Sequence, residues 1–300
     1  MTTSLEVPGL VWRPEGQALL SGELLRLLRD LDALWLRWGE AVGAQELDPP
    51  PMLPARFLQR VDHFASFPHL VTFACVQADD AGTLAAFARQ PWRADGQGLA
   101  LGALAPTTQV LTPSACYHVY HDLVGQDLPA PGYFSLCTRC FRREATYEPL
   151  RRQWAFQMRE LVCVGTADEV RAHLAAHRAR LLALCERLGL DAAFQPATDP
   201  FFNPGRSAKH LMQVLDPTKE ELVFGGDLAI ASLNFHRDAM GTAFDLRRGG
   251  EVAQTGCVAF GLERWLDALV RTHGLPGAIA AIRGELAREE APAGAAGGRP

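Results

Sequence analysis

Apolar residues recur with a helical period along two stretches of the chain. From Ser21 to about Gly43, leucine and tryptophan side chains fall on one face and charged side chains on the other. In the second stretch, Thr166 and Glu169 have the spacing of a capping box, and apolar residues follow at helical spacing until Gly189. We therefore expect an amphipathic helix over each stretch.

Other segments have the pattern of β-strands. Residues 132–142 and 154–164 predict two strands that pair across an Arg-rich loop as a long hairpin. Shorter strand-like runs are predicted at the positions 71–76, 221–224, 228–234 and 243–246. A closing helix is expected after Gly256. Because hairpins predict antiparallel pairing, we expect an α+β fold, an antiparallel β-sheet flanked by helices.

Proline and glycine mark the boundaries of this unit. Four prolines between Leu47 and Pro54 exclude a helix and predict an extended segment, which is followed by a short helix over 56–64. Residues 291–300 are mostly Gly, Ala and Pro without periodicity and predict a disordered tail. We expect a single domain over 1–290 that includes the helix at 21–43.

Charge and composition exclude several classes of function. The chain of 300 residues has 29 basic and 34 acidic side chains, a net charge of −5, and no basic block that could follow a phosphate backbone. Its apolar runs are shorter than a membrane span and it lacks the basic start of a signal peptide. We expect a cytoplasmic protein without a membrane partner. Seven cysteines, an odd number, indicate thiols or metal ligands instead of disulfides.

Three segments carry chemistry-bearing residues in the order of a known family. The hairpin holds Arg142 and Glu144 on its first strand, and Arg152, Phe156 and Glu160 on or before its second. A glycine-containing segment from 256 to 264 ends in an arginine, and the proline segment 48–54 precedes a short helix. These segments resemble motifs 2, 3 and 1 of class II aminoacyl-tRNA synthetases over residues 45–270. The chain most resembles the archaeal-type seryl-tRNA synthetase core and its tRNA-independent relatives, the amino acid:[carrier protein] ligases.

The resemblance implies a zinc site. In that family an active-site Zn²⁺ is held by residues that match Cys116, Glu160 and Cys257. Three protein ligands leave one tetrahedral position open, as in catalytic and substrate-binding zinc sites, and the family uses this position for the α-amino group of the substrate. The alternative for Glu160 is a salt bridge to Arg159 or Arg139. His118, His121 and His236 are possible neighbours of the pocket without an assigned role.

The resemblance also implies an ATP site. Arg142 is expected at the α-phosphate, Phe156 stacked on adenine, and Glu144 at the adenine edge, while Arg264 and Arg152 contact the outer phosphates. Arginine suits these roles because its planar fork bonds phosphate oxygens in pairs. Ala229 stands where the family has an acidic Mg²⁺ ligand, so Glu221 is expected to take that role, with Asp227 as the other candidate. Ser232 and Asn234 are expected to line the amino acid pocket.

The implied activity is ATP-dependent, AMP-forming activation of a small amino acid, glycine or alanine, followed by transfer to the phosphopantetheine thiol of a carrier protein. Arg142 and Arg264 are the expected catalytic residues, and motif 1 implies a homodimer. A tRNA-aminoacylating enzyme is the alternative. It is disfavoured because the core leaves room for only a single helix in front and the charge does not suit tRNA. The remaining alternative is a catalytically inactive regulatory paralogue.

Overall fold

The structure, a computed structural model, describes residues 6–89, 92–93, 98–99 and 101–290. The predicted tail at 291–300 lies outside these residues. The strands are β1 (Leu10–Arg13), β2 (Gln17–Leu20), β3 (Gln45–Leu47), β4 (Met52–Pro54), β5 (Phe73–Ala74), β6 (Gln109–Leu111), β7 (Asp127–Leu128), β8 (Gly132–Phe141), β9 (Ala155–Gly165), β10 (Ala192–Pro196), β11 (Lys219–Phe224), β12 (Leu228–Arg237), β13 (Arg247–Arg248), β14 (Glu251–Val252) and β15 (Gln254–Gly261). The helices are α1 (Gly22–Glu40), α2 (Ala55–Arg60), α3 (His63–Ser66), α4 (Ala81–Arg89), α5 (Tyr117–Asp122), α6 (Ala167–Arg187), α7 (Ala208–Leu215), α8 (Ala239–Phe244) and α9 (Leu262–Glu290).

A sheet of seven strands forms the centre of the fold, in the order β10-β11-β12-β15-β9-β8-β3. Neighbouring strands are antiparallel except for β3, which pairs parallel with β8 at one edge. The hairpin of β8 and β9 pairs from Gly132 opposite Val164 to Phe141 opposite Ala155. The predicted long hairpin and the antiparallel α+β sheet are therefore confirmed.

Helices α1, α6 and α9 cover one face of the sheet and bury its main apolar core. Trp35 of α1 stacks on Phe260 of β15, with ring centroids 4.2 Å apart and planes at 8°. The second amphipathic helix begins with the capping box that the sequence predicts, because Thr166 and Glu169 exchange hydrogen bonds between side chain and backbone. None of the helices among the described residues is long and apolar enough to cross a lipid bilayer.

A smaller apolar cluster lies on the opposite face and supports the functional site. Helices α2, α5 and α8 contribute to it, and Phe57 stacks on Phe244 with ring centroids 4.1 Å apart. This face of the sheet is only partly covered, because the cavity described below opens between these helices and the strands.

The structure corrects several predicted elements. The segment 243–246 is not a strand, since Ala243 and Phe244 end helix α8 and Phe244 packs inward on Phe57. A pattern of four residues is too short to separate the two periods. The closing helix does not follow Gly256 directly, because β15 continues to Gly261 between two partner strands.

The region between motif 1 and the hairpin also differs from the prediction. Only Phe73 and Ala74 of the predicted strand 71–76 pair with a neighbour, and the helix predicted over 56–64 is broken at Asp62, whose φ is 56°. Helices α4 and α7 and the hairpin of β1 and β2 have no counterpart in the sequence analysis. The assignment of 1–290 to one domain stays a prediction.

Candidate active site

A cavity of about 930 Å³ opens on the less covered face of the sheet. Eleven of the residues that the sequence analysis proposed for the site line this one cavity: Cys116, Arg142, Glu144, Arg152, Phe156, Glu160, Glu221, Ser232, Asn234, Cys257 and Arg264. His236 also lines it, whereas Asp227, His118 and His121 are not among its lining residues. The lining residues are far apart in the sequence, and the fold brings them together in one cavity.

The register of three strands explains how one group of these residues shares a face. Cys257 of β15 lies opposite Asn234 of β12, and Ala259 lies opposite both Ser232 of β12 and Glu160 of β9. Residues that are paired across antiparallel strands point to the same side of the sheet. The floor of the cavity therefore consists of polar side chains on β9 and β12 with Cys257 and the small Ala259 between them.

Glu160 is fully buried beside the two predicted cysteine ligands. Its Oε1 accepts hydrogen bonds from Ser114 Oγ and Ala115 N, both at 2.8 Å, and from Cys116 N at 3.2 Å. Its Oε2 has no hydrogen-bond partner among the described residues, and the side chain is 0% exposed. A buried polar atom without a partner costs about 1–3 kcal/mol, so this oxygen is a good candidate for a cation ligand.

Neither of the two arginines considered as salt-bridge partners of Glu160 is paired with it among the described residues. Arg159 points to the helix-covered face, where its Nε and Nη2 donate to the carboxylate of Asp32 at 2.6 and 3.0 Å. No hydrogen bond or ion pair joins Arg139 to Glu160 among the described residues. Glu160 is instead held by the backbone and hydroxyl donors around Ser114.

The thiols of Cys116 and Cys257 belong to a compact donor group. Together with His236 they place one donor atom each within 4.8 Å of one another. The Sγ of Cys257 accepts a hydrogen bond from Asn234 Nδ2 at 3.5 Å. Two thiols and an imidazole are ligands that zinc prefers, so this group fits the metal, and Glu160, which is not a member of the group, lies beside it.

Electrostatics in this group also favour a cation. The hydrogen bond with Cys116, burial and the nearby Glu160 raise the pKa of the Cys257 thiol well above its ordinary value of 9.0. Without a bound cation, the pocket therefore disfavours the thiolate form of Cys257. A bound divalent cation would reverse this preference, since a coordinating thiol is deprotonated.

The same cavity carries the predicted nucleotide residues. The guanidinium carbon of Arg142 lies 5.3 Å from the centre of the Phe156 ring, and its Nε donates to the carbonyl of Pro113 at 2.9 Å. Arg264 Nη1 donates to the carbonyl of Ala229 at 3.0 Å. These contacts fix the direction of both side chains before any ligand binds.

The two predicted Mg²⁺ ligands are both paired with cationic side chains. Glu221 Oε1 is 3.1 Å from Lys219 Nζ, which also contacts Asp199 at 3.0 Å. Glu221 is thus already paired with a cation, and the other candidate, Asp227, pairs with Arg151 at 2.8 Å. Either carboxylate would have to leave its cationic partner to contact Mg²⁺, and Mg²⁺ binding by Glu221 stays a prediction.

Sequence reasoning named one residue of this site, His236, only as a possible neighbour without a role, and it missed two others. His236 follows Asn234 by two positions on β12, and this alternation was the signal that could have added it to the ligand set. Lys219 and Asp199 form a partly buried ion pair in the cavity wall. Asp199 lies in an irregular segment where no periodicity applies, so the sequence offered no signal for it.

Comparisons with known structures define the class of the fold. The chain superposes on M. kandleri seryl-tRNA synthetase, solved in complex with A. aeolicus tRNASec, with a TM-score of 0.76 and 20% identity. The match covers 88% of this chain and 55% of that one, so the chain spans about half the length of this synthetase. The fold is that of a class II aminoacyl-tRNA synthetase catalytic core, as the motifs predicted.

Sequence comparison then gives the family. The chain is 34% identical over 241 residues to amino acid--[acyl-carrier-protein] ligase 1 of Bradyrhizobium diazoefficiens, covering 77% of this chain and 72% of the relative. It is 34% identical over 242 residues to ligase 2 of the same organism, with 75% and 69% covered. No protein-family model matches the chain. The chain belongs to the amino acid--[acyl-carrier-protein] ligase family, and the prediction of a ligase of this kind is confirmed.

Proposed function

We propose that this protein uses ATP to convert a small amino acid to its aminoacyl-adenylate, and then transfers the aminoacyl group to the phosphopantetheine thiol of a carrier protein. One observation carries the proposal: the nucleotide residues Arg142, Phe156 and Arg264 line the same cavity as the donor group around Glu160 and Cys257. The names of the relatives support a carrier protein as the acceptor.

The nucleotide is held by arginine and aromatic side chains. Phe156 offers a ring face for adenine, and Arg142 beside it directs positive charge towards the α-phosphate. Arg264, held by backbone carbonyls, and Arg152 contact the outer phosphates, while Glu144 contacts the adenine edge. Glu221 is the proposed contact to ATP-bound Mg²⁺.

The amino acid is held at the other end by the metal-ligand group. Cys116, Glu160 and Cys257 would hold a Zn²⁺ ion, which would supply a Lewis-acid position for an unprotonated α-amino group. The unpartnered Oε2 of Glu160 and the closeness of the two thiols support this assignment. Ser232 and Asn234 line the pocket between the amine and the nucleotide, and glycine and alanine are the proposed substrates.

Neither adenylate formation nor thioester formation requires a nucleophile from the protein. A carboxylate oxygen of the amino acid attacks the α-phosphorus and pyrophosphate leaves. The pantetheine thiol then loses its proton to solvent and attacks the activated carbonyl carbon, so that AMP leaves with the bonding electrons and a thioester forms. The protein contributes orientation and positive charge, which are sufficient for such transfers.

The proposal is tested by amino-acid-dependent exchange of pyrophosphate into ATP, screened over the standard amino acids. We expect exchange with glycine or alanine, and transfer of the labelled amino acid to a carrier protein bearing phosphopantetheine. Label on tRNA would support the synthetase alternative. No exchange with any amino acid would support an inactive paralogue and would refute the proposal.

A matched pair of variants adds a control. Arg142→Ala is expected to abolish exchange because this side chain lines the cavity. Arg143→Ala changes the next residue, which is exposed and does not line the cavity, so exchange should persist.

We also propose that the protein is a cytoplasmic homodimer with one catalytic domain over 1–290. Light scattering can test the dimer, and limited proteolysis can test the single domain.

A further inference from the structure

The hairpin of β1 and β2 is joined to the motif 2 loop, the segment 142–154 that connects β8 to β9. At the turn of this hairpin, Gly16 N donates to the carbonyl of Arg13 at 3.0 Å, and Gly16 has a φ of 88°, which favours glycine. The carbonyl of Gly16 accepts a hydrogen bond from the backbone N–H of Trp154 at 2.8 Å. The turn is therefore tied to the last residue of the loop.

The same glycine packs against the ring of Tyr147 inside the loop. A Cβ atom on Gly16 would lie 2.7, 2.7 and 2.9 Å from three carbons of this ring, so there is no space for a side chain at the turn. The Tyr147 ring is parallel to the ring of Trp154, with planes at 4° and centroids 6.3 Å apart. The indole Nε1 of Trp154 donates to Thr72 Oγ1 at 2.8 Å. Tyr147 thus contacts both a buried turn and an anchored tryptophan.

The hydroxyl group of Tyr147 reaches the residue that is predicted to contact the adenine edge. Glu144 N donates to Tyr147 Oη at 3.4 Å, and the neighbouring Arg143 N donates to the carbonyl of Leu70 at 3.0 Å. Glu144 lines the cavity, whereas neither Tyr147 nor Gly16 is among its lining residues. The backbone at Glu144 is therefore held from outside the cavity, by contacts that a bound nucleotide does not displace.

The carboxylate of Glu144 depends on this backbone support for its direction. Among the described residues, no side chain or backbone group forms a hydrogen bond or an ion pair with this carboxylate. A carboxylate only accepts hydrogen bonds. Adenine offers a donor in its exocyclic amino group, whereas guanine has a carbonyl oxygen at the same position. A correctly placed Glu144 would therefore favour ATP over GTP.

We propose that Gly16 and Tyr147 are positioning residues for nucleotide selection. The hairpin holds the Tyr147 hydroxyl at the backbone of Glu144 and so directs its carboxylate to the amino group of adenine. This inference rests on the nucleotide part of the proposed function, which places Glu144 at the adenine edge. Gly16 and Tyr147 do not touch the nucleotide and act through Glu144. A hairpin outside the segments that resemble the synthetase motifs thus contributes to the choice of ATP.

Calorimetric titration of the full chain with ATP and with GTP tests this proposal. Tyr147→Phe keeps the ring and removes the hydroxyl acceptor, so we expect the ratio of the Kd for GTP to the Kd for ATP to fall about threefold to tenfold. The Tm should stay close to that of wild type. Tyr133→Phe, on β8 beside His173 and outside the cavity lining, is the control and should keep the ratio. A wild-type ratio in Tyr147→Phe overturns the proposal.

Two glycine variants test the part played by the hairpin. Gly16→Ala pushes a methyl group against the Tyr147 ring and should lower the ratio as Tyr147→Phe does. Gly22→Ala, at a φ of 58° with no atom within 4 Å of the added Cβ, has similar backbone strain without the contact and should keep the ratio. Thermal unfolding checks that both variants fold, and Tyr147→Phe decides the outcome if either does not.

A double variant then separates positioning from general damage. If Gly16 acts through the Tyr147 hydroxyl, Gly16→Ala should not lower the ratio further when Tyr147→Phe is already present, because the acceptor is gone. Equal ratios in Gly16→Ala and Gly22→Ala, or fully additive losses in the double variant, contradict the role of the hairpin.

The two proposals fail in distinguishable ways, because nucleotide binding is measured without pyrophosphate exchange. If wild type exchanges pyrophosphate and Tyr147→Phe keeps the wild-type ratio, only the positioning role is refuted. If wild type exchanges with no amino acid, the proposed function is refuted, and a lowered ratio in Tyr147→Phe still supports the positioning role.

Discussion

The side chain of Arg264 is anchored to the backbone of Arg151: its Nε donates to the carbonyl oxygen of that residue at 2.8 Å. A second bond, from Nη1 to the carbonyl of Ala229, holds the same guanidinium at 3.0 Å. Arg151 is itself fixed by the buried carboxylate of Asp267 at 3.0 Å. The arginine that ends motif 3 is therefore oriented by the loop between the two strands of motif 2.

This anchoring predicts that Arg264→Lys weakens ATP binding although the charge is retained. A lysine ammonium cannot make both carbonyl bonds and also present a planar fork to phosphate. Hydrogen bonds to charged groups are worth about 1.5–3 kcal/mol, so the efficiency of pyrophosphate exchange should fall about tenfold to a hundredfold. Kinetics at varied ATP concentration measure this, and Arg271→Lys, which pairs with Asp267 outside the cavity, is the control. An unchanged KM for ATP in Arg264→Lys would contradict the assignment.

Phe156 is predicted to bind adenine by stacking. Phe156→Ala should raise the KM for ATP with a smaller effect on the KM for the amino acid, because the ring lies beside Arg142 at the nucleotide end. Stacking of a base on an aromatic side chain is worth about 1–3 kcal/mol, or about fivefold to a hundredfold in affinity. Phe156→Tyr keeps the ring and should keep most of the affinity. Equal increases in both KM values would point to a structural role.

Cys257 is predicted to be necessary for metal binding, whereas Cys163 is not. Cys257→Ala should lower the zinc content of the purified protein and abolish adenylate formation. Cys163 is a matched control, since it is also fully buried on the central sheet but lies outside the donor group. Metal analysis of both variants, with thermal unfolding as a check on folding, makes the comparison. Normal zinc and activity in Cys257→Ala would refute the ligand assignment.

The sequence predicted the central sheet more accurately than it predicted the connections between its strands, and the roles of the site residues stay predictions. The hairpin of β8 and β9 was predictable because its alternation extends over many residues and its arginines, Phe156 and Glu160 match a known motif. Cys116 and Cys257 were found through the motifs alone, because no spacing rule joins residues so far apart.

What the sequence could not show depends on contacts between distant segments. His236 and Thr255 meet because of a register shift, which no local pattern encodes. The hydrophobic pattern also did not predict the left-handed conformation of Asp62, which separates α2 from α3. The segment 243–246, which contains the end of helix α8, was predicted as a strand because a pattern of four residues does not distinguish the two periods.

Glu263 predicts a specific dependence of stability on pH. Burial raises the pKa of its carboxyl from 4.5 to about 7, while hydrogen bonds from the backbone N–H of Gln157, at 3.0 and 2.9 Å, partly oppose the shift. The folded protein therefore holds a proton between pH 4.5 and pH 7 that the unfolded chain releases. The contribution of this group to stability is complete below pH 4.5 and is lost as the pH rises through about 7.

Glu263→Gln removes this titration and keeps an oxygen that can accept from Gln157. We expect the Tm of the variant, relative to wild type, to increase as the pH is raised from 4.5 to 7 and then to stay constant. Thermal unfolding by circular dichroism across this range measures the difference. Glu251→Gln, at an exposed position on β14, provides the comparison for a carboxylate that is not buried. A Tm difference between Glu263→Gln and wild type that does not change with pH would show that Glu263 keeps an ordinary pKa in the folded protein.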